Sequence, residues 1–257
     1  MEIRPIGDVA LVTGAGRGIG FAVAEGFARE GLAVAVNDYD GDLAEEAAAK
    51  IRAKGGKAKA FAADVSHTDA VFAMVAAVKE TLGPVDVLVN NAGISPKRDG
   101  MKTPIWEMDP SEWQAVVGVN LTAHFLCSRA VLPDMKARRK GVVISVSSVA
   151  AVMHSDISGC HYHATKAGVC GLIRSIAAEM GPFGVRAVAV GPGRVATEMA
   201  ALVPKEVNDR IREAIPLKVL ADPADIANLV LYLASPAAAQ VTGAMVMVDG
   251  GWSLRLA

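Results

Sequence analysis

Short, unbroken apolar runs recur along this chain, at residues 9–13, 33–37, 58–61, 85–89, 142–146, 185–190 and 245–248. Between them lie Ala-, Glu- and Lys-rich stretches with helical periodicity, such as 43–54 and 70–81. A strand buried on both faces reads as a continuous apolar run, whereas a half-exposed strand alternates. Runs alternating with helical segments predict a doubly wound, seven-stranded parallel sheet with helices on both faces. No linker, repeat or low-complexity tract interrupts the pattern, so residues 1–257 are predicted to form a single domain.

Composition narrows the partners. Lysine plus arginine (26) nearly balance aspartate plus glutamate (27), which gives no basis for nucleic-acid binding. One dense basic run, Lys136, Arg138, Arg139 and Lys140, precedes the run at 142–146 and is read as a solvated helix end and turn. Cations suit a helix C-terminus. Cys127, Cys160 and Cys170 follow no disulfide or zinc pattern, so no metal is expected and a reducing compartment fits best. The first five residues lack a signal-like apolar core. No uncharged apolar stretch reaches about 18 residues. A cytoplasmic protein without a membrane partner is expected.

The first apolar run leads directly into Thr13-Gly14-Ala15-Gly16-Arg17-Gly18-Ile19-Gly20. Glycines here permit a tight turn and let the backbone approach a pyrophosphate at the following helix N-terminus. The second run ends at Asn37-Asp38. An acid at that place accepts hydrogen bonds from ribose hydroxyls and repels a 2′-phosphate. Asp38, with Asp40 and Asp42 nearby, therefore favours NAD. Arg17 pulls toward NADP, because a guanidinium in the turn suits a phosphate. The reading adopted is NAD, with NADP as the alternative.

Further along, Tyr162 and Lys166 are four residues apart and share a helix face. An ammonium beside a phenol favours the phenolate, whereas a free tyrosine is a poor base at neutral pH. The pair suits proton exchange with a substrate carbonyl or hydroxyl.

These motifs, in this order, resemble the short-chain dehydrogenases/reductases of ordinary length, from Asp8 to Trp252. The resemblance implies a Rossmann fold and a nucleotide site built from Gly14, Arg17, Gly18, Ile19 and Gly20. Asp64-Val65 resembles the family's adenine-contacting pair, and Asn90-Asn91-Ala92-Gly93 its N-N-A-G element. Pro192-Gly193, with Val195 and Thr197, resembles its P-G-x-x-x-T loop at the nicotinamide end. By the same resemblance Tyr162 is the acid/base, and Lys166 lowers its pKa and binds the nicotinamide ribose. Ser148 holds the substrate oxygen, and Asn120 holds a water that links Lys166 to solvent. Ser148 is preferred over Ser147, which stays open; the choice implies a one-residue insertion at 152–161. The hydride chemistry belongs to the nicotinamide.

The chain departs from the family pattern at Val188, where an asparagine is usual and local repacking is expected. His161 and His163 flank Tyr162 but point to different helix faces, His163 toward the surface. His154 and Asp156 lie close enough to the active site in sequence to contact substrate; Lys97 and Arg98 lie where substrates enter in the family, and either suits a carboxylate or phosphate. Residues 194–216 are expected to form a substrate lid, with Met199, Leu202 and Val203 as its apolar stripe. A homotetramer is implied, joined through helices at 112–136 and 162–181, with Ala167, Gly168 and Gly171 permitting close approach.

The leading functional expectation is an NAD(H)-dependent oxidoreductase acting on a small secondary alcohol: a polyol or sugar, a hydroxy acid, or similar. The alternative is a 3-oxoacyl-[acyl-carrier-protein] reductase using NADPH. A non-catalytic nucleotide-binding regulator is the remote third reading, opposed by the presence of Asn120, Ser148, Tyr162 and Lys166.

Overall fold

The computed structural model describes residues 4–254. Seven parallel strands form one sheet: β1 (Val9–Val12), β2 (Ala33–Asp38), β3 (Lys57–Ala62), β4 (Val87–Asn90), β5 (Gly141–Val146), β6 (Val185–Pro192) and β7 (Met245–Val248). Their spatial order is β3-β2-β1-β4-β5-β6-β7. The nine helices among the described residues are α1 (Gly18–Arg29), α2 (Gly41–Ala53), α3 (Thr68–Thr81), α4 (Pro110–Val117), α5 (Ala123–Arg138), α6 (Cys160–Met180), α7 (Glu198–Ala201), α8 (Lys205–Ala214) and α9 (Pro223–Leu233). A π turn, Gly118–Thr122, joins α4 to α5. Every apolar run became a strand, displaced by at most two residues at an end.

Local chemistry fixes several helix starts. The Asp40 carboxylate caps α2 by accepting from the Asp42 and Leu43 amides. Pro110 follows the capping Asp109 at the start of α4. Asp222 and Asp225 form a capping box around Pro223 in α9. Such caps satisfy amides that the helix itself leaves unpaired.

The sheet is covered on both faces. Phe27, Ile51 and Leu231 bring α1, α2 and α9 against one face. Val78, Met135 and Ile173 bring α3, α5 and α6 against the other. Val188 is fully buried in the first layer, so valine packs where asparagine is usual. A smaller cluster of Val149, Ile157, Val203, Ile211, Ile215 and Trp252 lies beneath residues 194–216.

The sheet reverses its winding between β1 and β4, and in such folds ligands bind outside the carboxyl ends at that switch point. Thr13, Asp38, Asn90, Ser147 and Pro192 all lie at or just beyond strand C-termini.

One expectation needs correction here. The basic run at 136–140 is not simply solvated. Arg138 donates to the Asp86 carboxylate and to the Val85 carbonyl, and Asp86 is only 3% exposed. A buried carboxylate requires a partner, and the sequence separation concealed this one. The continuous helix at Pro110–Arg138 is also long and apolar enough to cross a membrane, by length and composition. Its apolar residues Val116, Leu126, Val131 and Met135 are instead buried within the fold.

Candidate functional site

The glycine turn is held by its neighbours. The Thr13 hydroxyl accepts from the Asn91 and Ala92 amides at 3.0 and 3.1 Å. The Asn91 side-chain amide donates to the Thr13 and Gly14 carbonyls at 2.9 Å each. A Cβ on Gly20 would collide with the Gly14 carbonyl oxygen and lie 2.5 Å from Asn91 Nδ2, so only glycine fits. Gly14 and Gly18 have φ of 60° and 57°, a region glycine enters without steric cost.

At the start of α1 no side chain caps the helix, and its first turn holds no acid. Uncapped amides at a helix N-terminus form an anion site. The Asp38 carboxylate accepts from the Gly16 amide at 3.1 Å and from the Asp40 amide at 3.3 Å. It therefore stands against the turn, 7% exposed, while Arg17 is exposed. This acid and these amides fit an adenosine ribose and a pyrophosphate.

The other expected nucleotide residues divide by position. Val65 is buried, and the Asp64 carboxylate accepts from the Ser66 amide and hydroxyl. Burial alone would raise Asp64, but the Ser66 hydrogen bonds outweigh it and hold the carboxyl below its usual range. A Cβ on Gly18 would contact Thr197 at 3.5 Å, so the glycine turn faces the segment after β6. Gly193 packs on the Asp249 backbone, and Val195 is buried. A Cβ on Gly93 would stand 3.5 Å from both Asn120 Oδ1 and Lys166 Nζ. The Ile19 side chain packs beside the first core layer.

Tyr162 and Lys166 lie one turn apart in α6, with Lys166 Nζ 5.5 Å from the Tyr162 ring centroid. Lys166 is 3% exposed, and its Nζ donates to the Val146 carbonyl at 2.9 Å. Burial pushes the ammonium down to about 8. Burial pushes the Tyr162 phenol up; the Ser148 hydroxyl and the Arg194 charge pull it back. This refines the expectation for the pair. The groups that oppose the upward shift of Tyr162 are Ser148 and Arg194, not Lys166.

The two serines separate clearly. Ser147 donates its hydroxyl to the Lys166 carbonyl at 2.8 Å, inside the protein. The Ser148 hydroxyl faces Tyr162 and accepts from the Ala150 amide at 3.1 Å.

Asn120 is fully buried in the π turn. Its Oδ1 accepts from the Ile94 amide at 2.8 Å and its Nδ2 donates to the Ile94 carbonyl at 2.9 Å. The side chain is thus occupied by the backbone after β4. The π turn here interrupts the α-helical hydrogen-bond ladder.

Sequence reading missed three features. Arg194 stands within electrostatic reach of Tyr162; the P-G-x-x-x-T motif contained it without marking it. His161 is fully buried and pairs through Nε2 with Glu112 at 3.0 Å, tying α6 to α4. His163 is half-buried rather than a surface group: it contacts the Ala150 carbonyl at 2.8 Å and stacks on His154 at 5.4 Å. Asp156, by contrast, points outward with 90% of its side chain exposed and meets only His154 at 3.3 Å.

A short-chain dehydrogenase/reductase architecture is defined by this sheet order, turn and Ser-Tyr-Lys grouping, and comparisons with known proteins agree. A family model described as enoyl-(acyl carrier protein) reductase matches residues 14–253. The 3-oxoacyl-[acyl-carrier-protein] reductase FabG of Staphylococcus epidermidis is 41% identical over 94% of this chain and 97% of its own. A 3α-hydroxysteroid dehydrogenase of Mediterraneibacter gnavus is 40% identical over 94% and 95%. A crystal structure of a 3-oxoacyl-[acyl-carrier protein] reductase from Brucella melitensis with bound NAD superposes with a TM-score of 0.91, at 40% identity, covering 98% of this chain and 93% of that one. The chain belongs to the short-chain dehydrogenase/reductase family and is an NAD(P)-dependent oxidoreductase.

The expectation of a polyol, sugar or hydroxy-acid dehydrogenase is overturned by these relatives, among which 3-oxoacyl reductases are prominent. The error has a physical source. An acid placed as Asp38 is bears on a cofactor's ribose and not on a substrate, and substrates are read by loops, which vary freely on a shared scaffold.

Proposed function

We propose that this protein reduces the 3-oxo group of acyl thioesters carried by acyl carrier protein to a 3-hydroxy group, with NADH preferred over NADPH. The reaction is supported by 41% identity with such a reductase along nearly the whole of both chains. The cofactor preference rests on one observation: the buried Asp38 carboxylate, bonded to the Gly16 amide, stands where a 2′-phosphate would meet a fixed negative charge. The 40%-identical reductase from Brucella melitensis, solved with NAD bound, agrees with that preference.

When bound, the nicotinamide supplies the hydride that adds to C3. Tyr162 donates its phenolic proton to the C3 oxygen as negative charge develops there, and Ser148 donates a second hydrogen bond to the same oxygen. A buried phenol with a raised pKa stays protonated at neutral pH, which suits an acid in the direction of reduction. Lys166 would hold the nicotinamide ribose, and a water at the Asn120 turn would link Lys166 to solvent, so that the proton given up by Tyr162 is replaced. Gly14, Arg17, Gly18, Ile19 and Gly20 receive the pyrophosphate end. Asp64 and Val65 flank the adenine. Asn91, Ala92, Gly93, Pro192, Gly193, Val195 and Thr197 line the path to the nicotinamide.

Residues 194–216 act as the lid of this domain. Val203 anchors the segment in the cluster with Ile157 and Trp252, while Met199 (39% exposed) and Leu202 (63%) are available to close over substrate. Closure of that kind excludes water. The active form is a cytoplasmic homotetramer, consistent with the exposed Phe125 and Trp113 on the helices at 110–138 and with three free cysteines. Gly171 faces outward, with only the Arg174 guanidinium near its Cβ position. Gly168 instead packs against Leu121 within the subunit.

The test is steady-state oxidation of NADH and of NADPH with acetoacetyl-[acyl carrier protein]. Turnover with at least about tenfold higher kcat/KM for NADH, equivalent to about 1.4 kcal/mol, supports the reading. Absence of turnover with either cofactor refutes it.

A further inference from the structure

Three loops meet at the mouth of the cleft: residues 94–102, 152–158 and the segment after β6. Lys97 bridges the first two, its Nζ donating to the Ile157 carbonyl and approaching Ser95 Oγ at 3.1 Å. Gly100, in the same loop, packs against Leu202 and Pro204 of the third. Arg194 is held from the lid side. Its Nε donates to Asn208 Oδ1 at 2.8 Å and its Nη2 to the Ala200 carbonyl at 3.1 Å, which leaves Nη1 for another partner. Lys97 and Arg194 are both half-buried and within each other's electrostatic reach. Lys102 adds a third positive charge nearby.

Among the described residues neither Lys97 nor Arg194 forms an ion pair. The acids of the rim are engaged elsewhere: Glu107 lies near Arg98 and Asp156 near His154. Partly buried cations without counter-ions are costly, and like charges held together add to the cost. Burial first, then Arg194 and Lys102, push the Lys97 ammonium down to about 8. A bound oxyanion would relieve both penalties, and a guanidinium fork suits carboxylate and phosphate geometry. The cofactor's own phosphates do not explain the pair. They are received at the uncapped start of α1, whereas these cations stand on the Tyr162 side. Arg98, the other candidate from sequence, is exposed and lies 3.9 Å from Glu107.

We propose that Lys97 and Arg194 form an anion subsite beside Tyr162 that receives an oxyanion carried by the substrate itself. The inference rests on the 3-oxoacyl thioester reading and specifies it: the thioester bears a carboxylate on its acyl chain or a phosphate on its carrier arm.

Three probes separate these sources: acetoacetyl-N-acetylcysteamine, which is neutral; 3-oxoadipyl-N-acetylcysteamine, which carries an acyl carboxylate; and acetoacetyl-coenzyme A, which carries phosphates. The wild type is expected to favour at least one anionic probe over the neutral one by about 10- to 100-fold in kcat/KM, mostly through KM, as befits charge-assisted hydrogen bonds. Which probe is favoured identifies the source. In Lys97→Met the ratio of anionic to neutral kcat/KM falls toward about 1, and Lys97→Arg restores it. NADH affinity, measured alongside, reports that each variant is folded. Equal use of all three probes by the wild type, or a ratio unaltered in Lys97→Met, overturns the subsite and leaves the reaction standing. If no thioester is reduced, the reaction reading fails and the subsite falls with it.

Discussion

Gly20 is the position where one added methyl group should do most to separate this fold from its cofactor. In Gly20→Ala the new Cβ overlaps the Gly14 carbonyl oxygen and stands 2.5 Å from Asn91 Nδ2 and 2.9 Å from Ala15 Cα. Two of these three contacts are backbone, so no side-chain rotation relieves them. Restoring ordinary separations of about 3.5 Å requires the turn and α1 to part by roughly 1 Å. That movement breaks the two Asn91 hydrogen bonds to Thr13 and Gly14. At about 1 kcal/mol net for each bond, the variant loses about 2 kcal/mol of stability. For a chain of this size that corresponds to a fall in Tm of about 4–8 °C. The same shift withdraws the α1 amides from the pyrophosphate, and losing one or two charge-assisted bonds weakens NADH binding by about 100-fold. Fluorescence titration with NADH and a thermal melt measure both effects. If Gly20→Ala bound NADH within threefold of wild type, the steric account of the turn would be wrong.

Tyr162→Phe should lower kcat for reduction by about 10³-fold, within the usual range for a lost general acid, while NADH binding persists; single-turnover kinetics measure this. Ser148→Ala should lower kcat by about 100-fold. Ser147→Ala should instead cost about 1 kcal/mol of stability, through its lost bond to the Lys166 carbonyl, with much smaller loss of turnover. Asp86 governs acid stability. Burial raises its pKa, but bonds from the Asp8 amide and Arg138 and the charge of Lys140 hold it below its usual range. A carboxyl depressed in the folded state contributes stability above its unfolded pKa of about 4, and that stability is lost as pH falls further. Asp86→Asn should therefore flatten the acid limb of a urea-denaturation series and lower stability at neutral pH.

The parallel sheet was legible because its strands are buried on both faces and read as uninterrupted valine- and alanine-rich runs. Thr13–Gly20 and Tyr162–Lys166 were legible because their geometry is local: a turn in one case, a single helical step in the other. What the sequence concealed depends on distant contacts. Arg138 reaches Asp86 across a separation of 52 residues, and His161 reaches Glu112 across 49. The bond from the Ser147 hydroxyl to the Lys166 carbonyl likewise depends on β5 and α6 lying side by side. Arg194 passed unnoticed because a motif names its fixed letters and ignores the variable ones between them. The substrate is not legible for a related reason: a cofactor-side acid such as Asp38 places no constraint on the loops that read a substrate, and such loops vary freely on a shared scaffold.

The most direct test of the proposed reaction follows the hydrogen itself. The purified protein is incubated with acetoacetyl-[acyl carrier protein] and NADH deuterated at nicotinamide C4, and the acyl chain is examined by mass spectrometry. A 3-hydroxybutyryl chain carrying deuterium at C3 is the predicted result, abolished in Tyr162→Phe over the same interval. An acyl chain that remains 3-oxo, with the protein folded and NADH bound, would contradict the proposed reaction.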